Sequence, residues 1–93
     1  MSRFDNEIGF ALCRTTKGKL THGPVAEGTP KNVGIPIKCP SGSTQVGLFH
    51  THPKGIPFPS DMDVKSAMKH GIKNLCIDAD GKLNCFAIRR KTS

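Results

Sequence analysis

Over residues 7–14 the bulky apolar side chains of Ile8, Phe10 and Leu12 alternate with Gly9 and Ala11, a period of two that predicts a strand with faces of unequal bulk. The polar run Thr16-Lys17-Gly18-Lys19 turns the chain, and residues 20–26 return as a second strand in a hairpin. Turn formers dominate residues 28–44, among them Pro30, Pro36 and Pro40, so a loop is expected there, with at most a short edge strand over residues 33–38. Residues 45–50 form a short apolar run suited to an interior strand, and Pro53, lacking an N–H, ends it just beyond His50-Thr51-His52. Val64, Ala67, Met68, Gly71 and Ile72 then recur at helical spacing, which predicts a helix from Ser60 to Gly71 with Lys69 and His70 in its last turn. Residues 74–78 and 82–89 read as a closing hairpin around Asp80-Gly81. The order of strand pair, loop, strand, helix and hairpin implies an α/β fold, a single domain over residues 1–93.

Composition narrows the picture. Hydrophobic residues make up 35% of the 93, the ordinary range for a chain with a core, although a small one. Fourteen Lys and Arg against seven Asp and Glu leave a net charge of +7, which favours an acidic partner, either nucleic acid or an acidic protein. Five Phe without Trp or Tyr, and no interleaving of basic and aromatic residues, speak against a surface that stacks bases. The basic run Arg89-Arg90-Lys91 reads as a solvated end. No apolar stretch reaches the ~20 residues that cross a bilayer, and Met1-Ser2-Arg3-Phe4-Asp5-Asn6-Glu7 lacks the apolar core of a signal peptide, so a cytoplasmic protein without a membrane is expected.

Cys13, Cys39, Cys76 and Cys85 contain no C-x-x-C pair, which makes a cysteine-based zinc finger a poor reading. A two-residue turn at Asp80-Gly81 would set Cys76 opposite Cys85 at a non-hydrogen-bonded site, with Cα atoms ~4.5 Å apart and able to be bridged. Because intracellular disulfides are rare, the favoured expectation is two reduced, buried thiols.

The chemistry lies between the interior strand and the helix. His50 and His52, two apart on a strand, leave the same face with Cα atoms roughly 6.5 to 7 Å apart, so one metal ion can reach both. Ser60-Asp61-Met62-Asp63 puts Asp63 in the first helical turn, where a helix returning beside the strand points its carboxylate toward the imidazoles. Two imidazoles and one carboxylate suit catalytic zinc, whose fourth position is kept for water and whose charge lowers the pKa of that water toward ~7. A general base is then required, and the chain has only two glutamates. Glu7 is preferred over Glu27, since Gly9 and Ala11 on its own face leave room beside a metal, whereas Glu27 abuts the loop start Gly28-Thr29-Pro30. Ser60 and Asp63 on their own are a capping-box-like helix start, a role compatible with chemistry. His22 and His70 have no metal-type spacing to the cluster.

The run from His50 to Asp63 resembles the JAMM (also MPN+ or JAB) metalloprotease signature, H-[ST]-H-x7-S-x-x-D, with every spacing matched. Glu7-Ile8-Gly9-Phe10 is similar to the family's E-x-x-G-type strand start, with glycine one position early, and the HxHPxG and PSxxD pieces also resemble the RadC branch. The resemblance implies a cytidine-deaminase-like α/β domain with a mixed sheet, in which His50, His52 and Asp63 hold Zn²⁺, Glu7 is the general base and Ser60 helps hold the oxyanion. It further implies hydrolysis of an isopeptide or peptide bond at the C-terminus of a ubiquitin-like modifier or a sulfur-carrier protein. Only six residues precede Glu7 where the family usually has a helix, so a partner subunit covering that face is one expectation. The rival expectations are a nucleic-acid-associated RadC-like module and a metal-binding scaffold subunit active only with a partner. The loop over residues 28–44 is either a flap over the site or plain surface; as a flap, its segment 33–38 would pair with an extended substrate tail.

Overall fold

In β1 (Ile8–Thr15) the small residues take the inside: Gly9, Ala11 and Cys13 are buried while Ile8 and Arg14 are exposed. The reason is what crosses above them. The loop at Ile35 runs over that face so closely that a Cβ on Gly9 would stand 2.5 Å from Ile35 Cδ1, and 2.9 Å from the Phe49 carbonyl oxygen. This computed structural model describes residues 6–30, 32–53 and 55–89.

The expected second strand is divided into β2 (Leu20–His22) and β3 (Ala26–Glu27), both antiparallel to β1. Pro24 offers no N–H to a ladder, and Gly23 instead donates to the Ala11 carbonyl at 2.9 Å while passing against the Lys38 backbone. No strand forms over residues 33–38; the segment is a loop laid on the sheet.

β4 (Ser43–Thr51) pairs antiparallel with β1 and parallel with β5 (Asn74–Ala79), and α1 (Asp61–Lys69) makes the crossover between the two parallel strands. With β6 (Lys82–Ala87) on the far edge, the sheet order is β2-β1-β4-β5-β6, and β3 lies beside β1. Among the described residues the chain is thus a small α/β domain with a mixed sheet and one helix. Ala67, Ile72 and Leu75 form its core cluster, with Leu48 and Ile88 packed against them. Gly71, at φ +69°, ends the helix in a Schellman arrangement: Ile72 donates to the Ala67 carbonyl and Gly71 to that of Met68. No described helix is long and apolar enough to cross a membrane.

The closing hairpin of β5 and β6 has the register the sequence predicts, with Ala79 opposite Lys82, and positive φ at both Asp80 and Gly81 gives the turn type that matches strand twist. Cys76 therefore faces Cys85. The expectation of reduced thiols at this pair is overturned: Cys76 is bonded to Cys85, S–S 2.11 Å, and a second disulfide, for which the sequence carries no expectation, joins Cys13 to Cys39, S–S 2.06 Å. That expectation rests on compartment alone, whereas the hairpin register sets Cys76 directly opposite Cys85, with Cα atoms 4.0 Å apart.

Candidate metal centre

Leu48 packs against the core, and His50, two residues on, leaves β4 on the same face beneath the N-terminal end of α1. On the helix, Ala67 is buried in that core, and Asp63 lies one turn earlier on the same stripe, so its carboxylate overhangs the end of β4. The packing that buries Ala67 thereby delivers Asp63 to the histidines. Asp63 Oδ2 lies 3.5 Å from both His50 Nε2 and His52 Nε2. Donor atoms at ~2.0–2.1 Å from a tetrahedral ion sit about 3.3 Å apart, so these contacts, ion pairs as they stand, also have a spacing at which the three groups could hold one small cation.

Each group is held from behind. His52 Nδ1 lies 2.8 Å from the Ile56 carbonyl oxygen, which makes Nδ1 the protonated nitrogen and leaves the Nε2 lone pair facing the cluster. The His52 backbone N–H donates to the Asp78 carbonyl at 2.9 Å, and the two imidazoles stack at a centroid distance of 4.8 Å. Asp63 shares a full capping box with Ser60: its backbone N–H donates to Ser60 Oγ, and its Oδ2 accepts from the Ser60 N–H. Burial opposes ionisation of Asp63, but His50 and the Ser60 N–H outweigh it and hold the carboxyl down at about 2, so it is an anion at neutral pH.

Glu7 comes to the same place from the start of β1. Its N–H donates to the Thr29 carbonyl and its own carbonyl accepts from Gly28, while the next residue, Ile8, donates to Thr51 Oγ1 between the two histidines. Ligand atoms of Glu7, His50 and His52 all lie within 4.8 Å of one another. Burial raises the Glu7 carboxyl above its ordinary value, against the lowering pull of His50 and His52 and with a further rise from Asp63. Glu27 is exposed and accepts a hydrogen bond from Asn6, outside the cluster.

The structure thus gathers Glu7, His50, His52, Ser60 and Asp63. His22 lies against Phe10 at 4.8 Å, and His70 caps the helix with Nδ1 against the Ser66 carbonyl. Missing from the sequence reading is the Ile56 carbonyl, because every residue has one and only the path of the loop selects it. A divalent cation fits the donor set on an observation independent of motif: His50 Nε2 is buried and has no hydrogen-bond partner among the described residues.

Residues 38–90, more than half of the chain, match the family of prokaryotic homologs of the JAB domain. The chain belongs to this family. The matched stretch carries His50, His52, Ser60 and Asp63 but not Glu7, which the structure places beside the two histidines. No curated protein and no solved structure matches the chain.

Proposed function

We propose that this chain is a zinc-dependent hydrolase of the JAMM type, cytidine-deaminase-like in arrangement, with His50, His52 and Asp63 as metal ligands, Glu7 as general base and Ser60 as oxyanion donor. The observation that carries the reading is the equal 3.5 Å approach of Asp63 Oδ2 to two imidazole nitrogens, beside a buried glutamate. Two imidazoles and a carboxylate are a donor set for zinc, in a family that includes metalloproteases. Bound zinc supplies Lewis acidity, acidifying water and polarising a carbonyl.

The chain's own groups do the rest. Glu7, its proton affinity raised by burial, takes a proton from the attacking water and returns it to the leaving nitrogen, so that water is added across the C–N bond. The Ser60 hydroxyl oxygen already accepts from the Asp63 N–H, and its own hydrogen is left to donate to the carbonyl oxygen as charge develops there. The substrate class that fits is an isopeptide or peptide bond at the end of a ubiquitin-like modifier or sulfur-carrier protein, and the +7 charge favours an acidic one.

Glu7 also lies close enough to both histidines to act as a third ligand, and a single substitution separates that role from the transfer of protons. Cleavage of a modifier–lysine isopeptide is expected from the zinc-loaded chain and not with a chelator. Glu7→Gln is expected to slow it by at least ~10²-fold with zinc retained. Unimpaired cleavage by Glu7→Gln refutes the proposal.

A further inference from the structure

Two cavities adjoin the candidate metal centre, one lined by His50 and the other by His52, and Asp63 lines both. On the His50 side, about 240 Å³ lies between the loop at Val33 and Ile35 and the helix at Ser66 and His70. On the His52 side, a cavity of about 300 Å³ is walled by Pro30, Pro53, Ile56, Phe58 and Pro59. On the hydrolase reading, the two halves of a substrate bound across the centre would lie one in each.

Glu7 decides which product goes where. The group that returns a proton to the leaving nitrogen has to stand beside it, and Glu7 lines the cavity on the His52 side and not the other. The amine half of the substrate therefore occupies the cavity of Ile56 and Phe58. Apart from Glu7, His52, Ser60 and Asp63, the described wall of this cavity is formed by Pro30, Pro53, Ile56, Phe58 and Pro59, so away from those four polar groups it offers an aliphatic leaving group a surface to cover. Ile56 and Phe58 are 57% and 62% exposed, large apolar side chains left in water at its mouth. The wall is also coupled to the metal ligand, since the Ile56 carbonyl orients His52 and the Gly55 N–H donates to the His52 carbonyl.

We infer that the cavity on the His52 side is a leaving-group subsite selective for an apolar segment next to the scissile nitrogen. That segment is either the methylene stem of an isopeptide lysine or an apolar side chain following the bond in a linear peptide. The inference rests on the hydrolase reading above, and its test has a readout that needs no turnover.

Leucinamide, n-butylamine and aspartic acid α-amide are titrated into the zinc-loaded chain while the amide signals of Ile56 and Phe58 are followed by NMR. At least one of the two apolar amines is expected to move those signals saturably, the aspartate amide to bind at least tenfold more weakly, and Phe58→Asp to weaken apolar binding at least tenfold. Ile56→Asp serves as a second variant, independent of Phe58. Preference for leucinamide identifies a linear peptide, and preference for butylamine an isopeptide. In the matching cleavage assay, linear substrates sharing one acyl half are expected to favour Leu over Asp after the bond by at least tenfold. Equal binding of all three amines, or indifference to both substitutions, overturns the subsite. Cleavage that ignores the residue after the bond overturns it while leaving the hydrolase reading intact. Apolar binding in a chain that cleaves nothing overturns the hydrolase reading and leaves only an apolar ligand site.

Discussion

Glu7 and Asp63 are carboxylates of one cluster pushed in opposite directions, and stability against pH reads the difference in the metal-free chain. For Asp63 the folded value of about 2 lies below the ordinary 3.8, so its stabilisation is present above pH ~4 and lost as pH falls toward 2. For Glu7 the folded value lies above the ordinary 4.5, so its contribution is present below pH 4.5 and lost as pH rises through the raised value. In urea melts of chelated protein, Glu7→Gln is therefore expected to be more stable than wild type at pH 7, the gap closing below pH 4.5, while Asp63→Asn is less stable at pH 7. A Glu7→Gln variant less stable than wild type at pH 7 contradicts this account of the buried glutamate. The convergence of His50, His52 and Asp63 was legible because it depends on spacing along one stretch of chain. Glu7 was legible through scarcity, as one of two glutamates. The carbonyl that orients His52 was not, since it has no residue-type signature.

The start of α1 serves two purposes through one pair of hydrogen bonds, and it is the element on which the site depends most. Ser60 caps the helix and simultaneously fixes the Asp63 carboxylate against the histidines. Ser60→Ala keeps the backbone N–H that holds Oδ2 but loses the hydroxyl cap, which costs about 1 kcal/mol of stability by chemical denaturation. Because the lost hydroxyl also accepts from the Asp63 N–H and so fixes that residue's backbone, zinc affinity is expected to fall by ~10-fold or more with it, as for other groups that orient a ligand. An unchanged affinity in a measurably destabilised variant would show that the cap and the ligand are independent. Helix and closing hairpin were legible because caps and turns are local: Ser60, Gly71 and Asp80-Gly81 each announce a boundary. The return strand was legible at both its ends, Leu20–His22 and Ala26, but its break was not, because Gly23 yields to a tertiary contact with the Lys38 backbone that no local pattern encodes.

Across the molecule, the two disulfides divide the work of holding a small core together. Cys13–Cys39 fastens the loop that covers Gly9 to β1 across 26 residues, whereas Cys76–Cys85 joins strands that a tight turn already pairs across 9. Chain-entropy reasoning gives about 3.5 kcal/mol for the longer closure and about 2.6 kcal/mol for the shorter. Replacing Cys13 and Cys39 together by serine is thus expected to lower the melting temperature more than replacing Cys76 and Cys85, and the reverse order would show that the loop contributes little to the fold. The Cys76–Cys85 register was legible in the sequence and its oxidation was not. The Cys13–Cys39 pairing was invisible, because it depends on the path of a loop without periodicity.

Native mass spectrometry of the zinc-titrated chain tests the central claim most directly, because it counts metal without requiring a substrate. One zinc per chain is predicted for wild type and for Glu7→Gln, and none for His52→Ala or Asp63→Ala at the same free zinc. Loss of zinc from Glu7→Gln, or its retention by both His52→Ala and Asp63→Ala, would contradict the assignment of His50, His52 and Asp63 as ligands and Glu7 as the proton carrier.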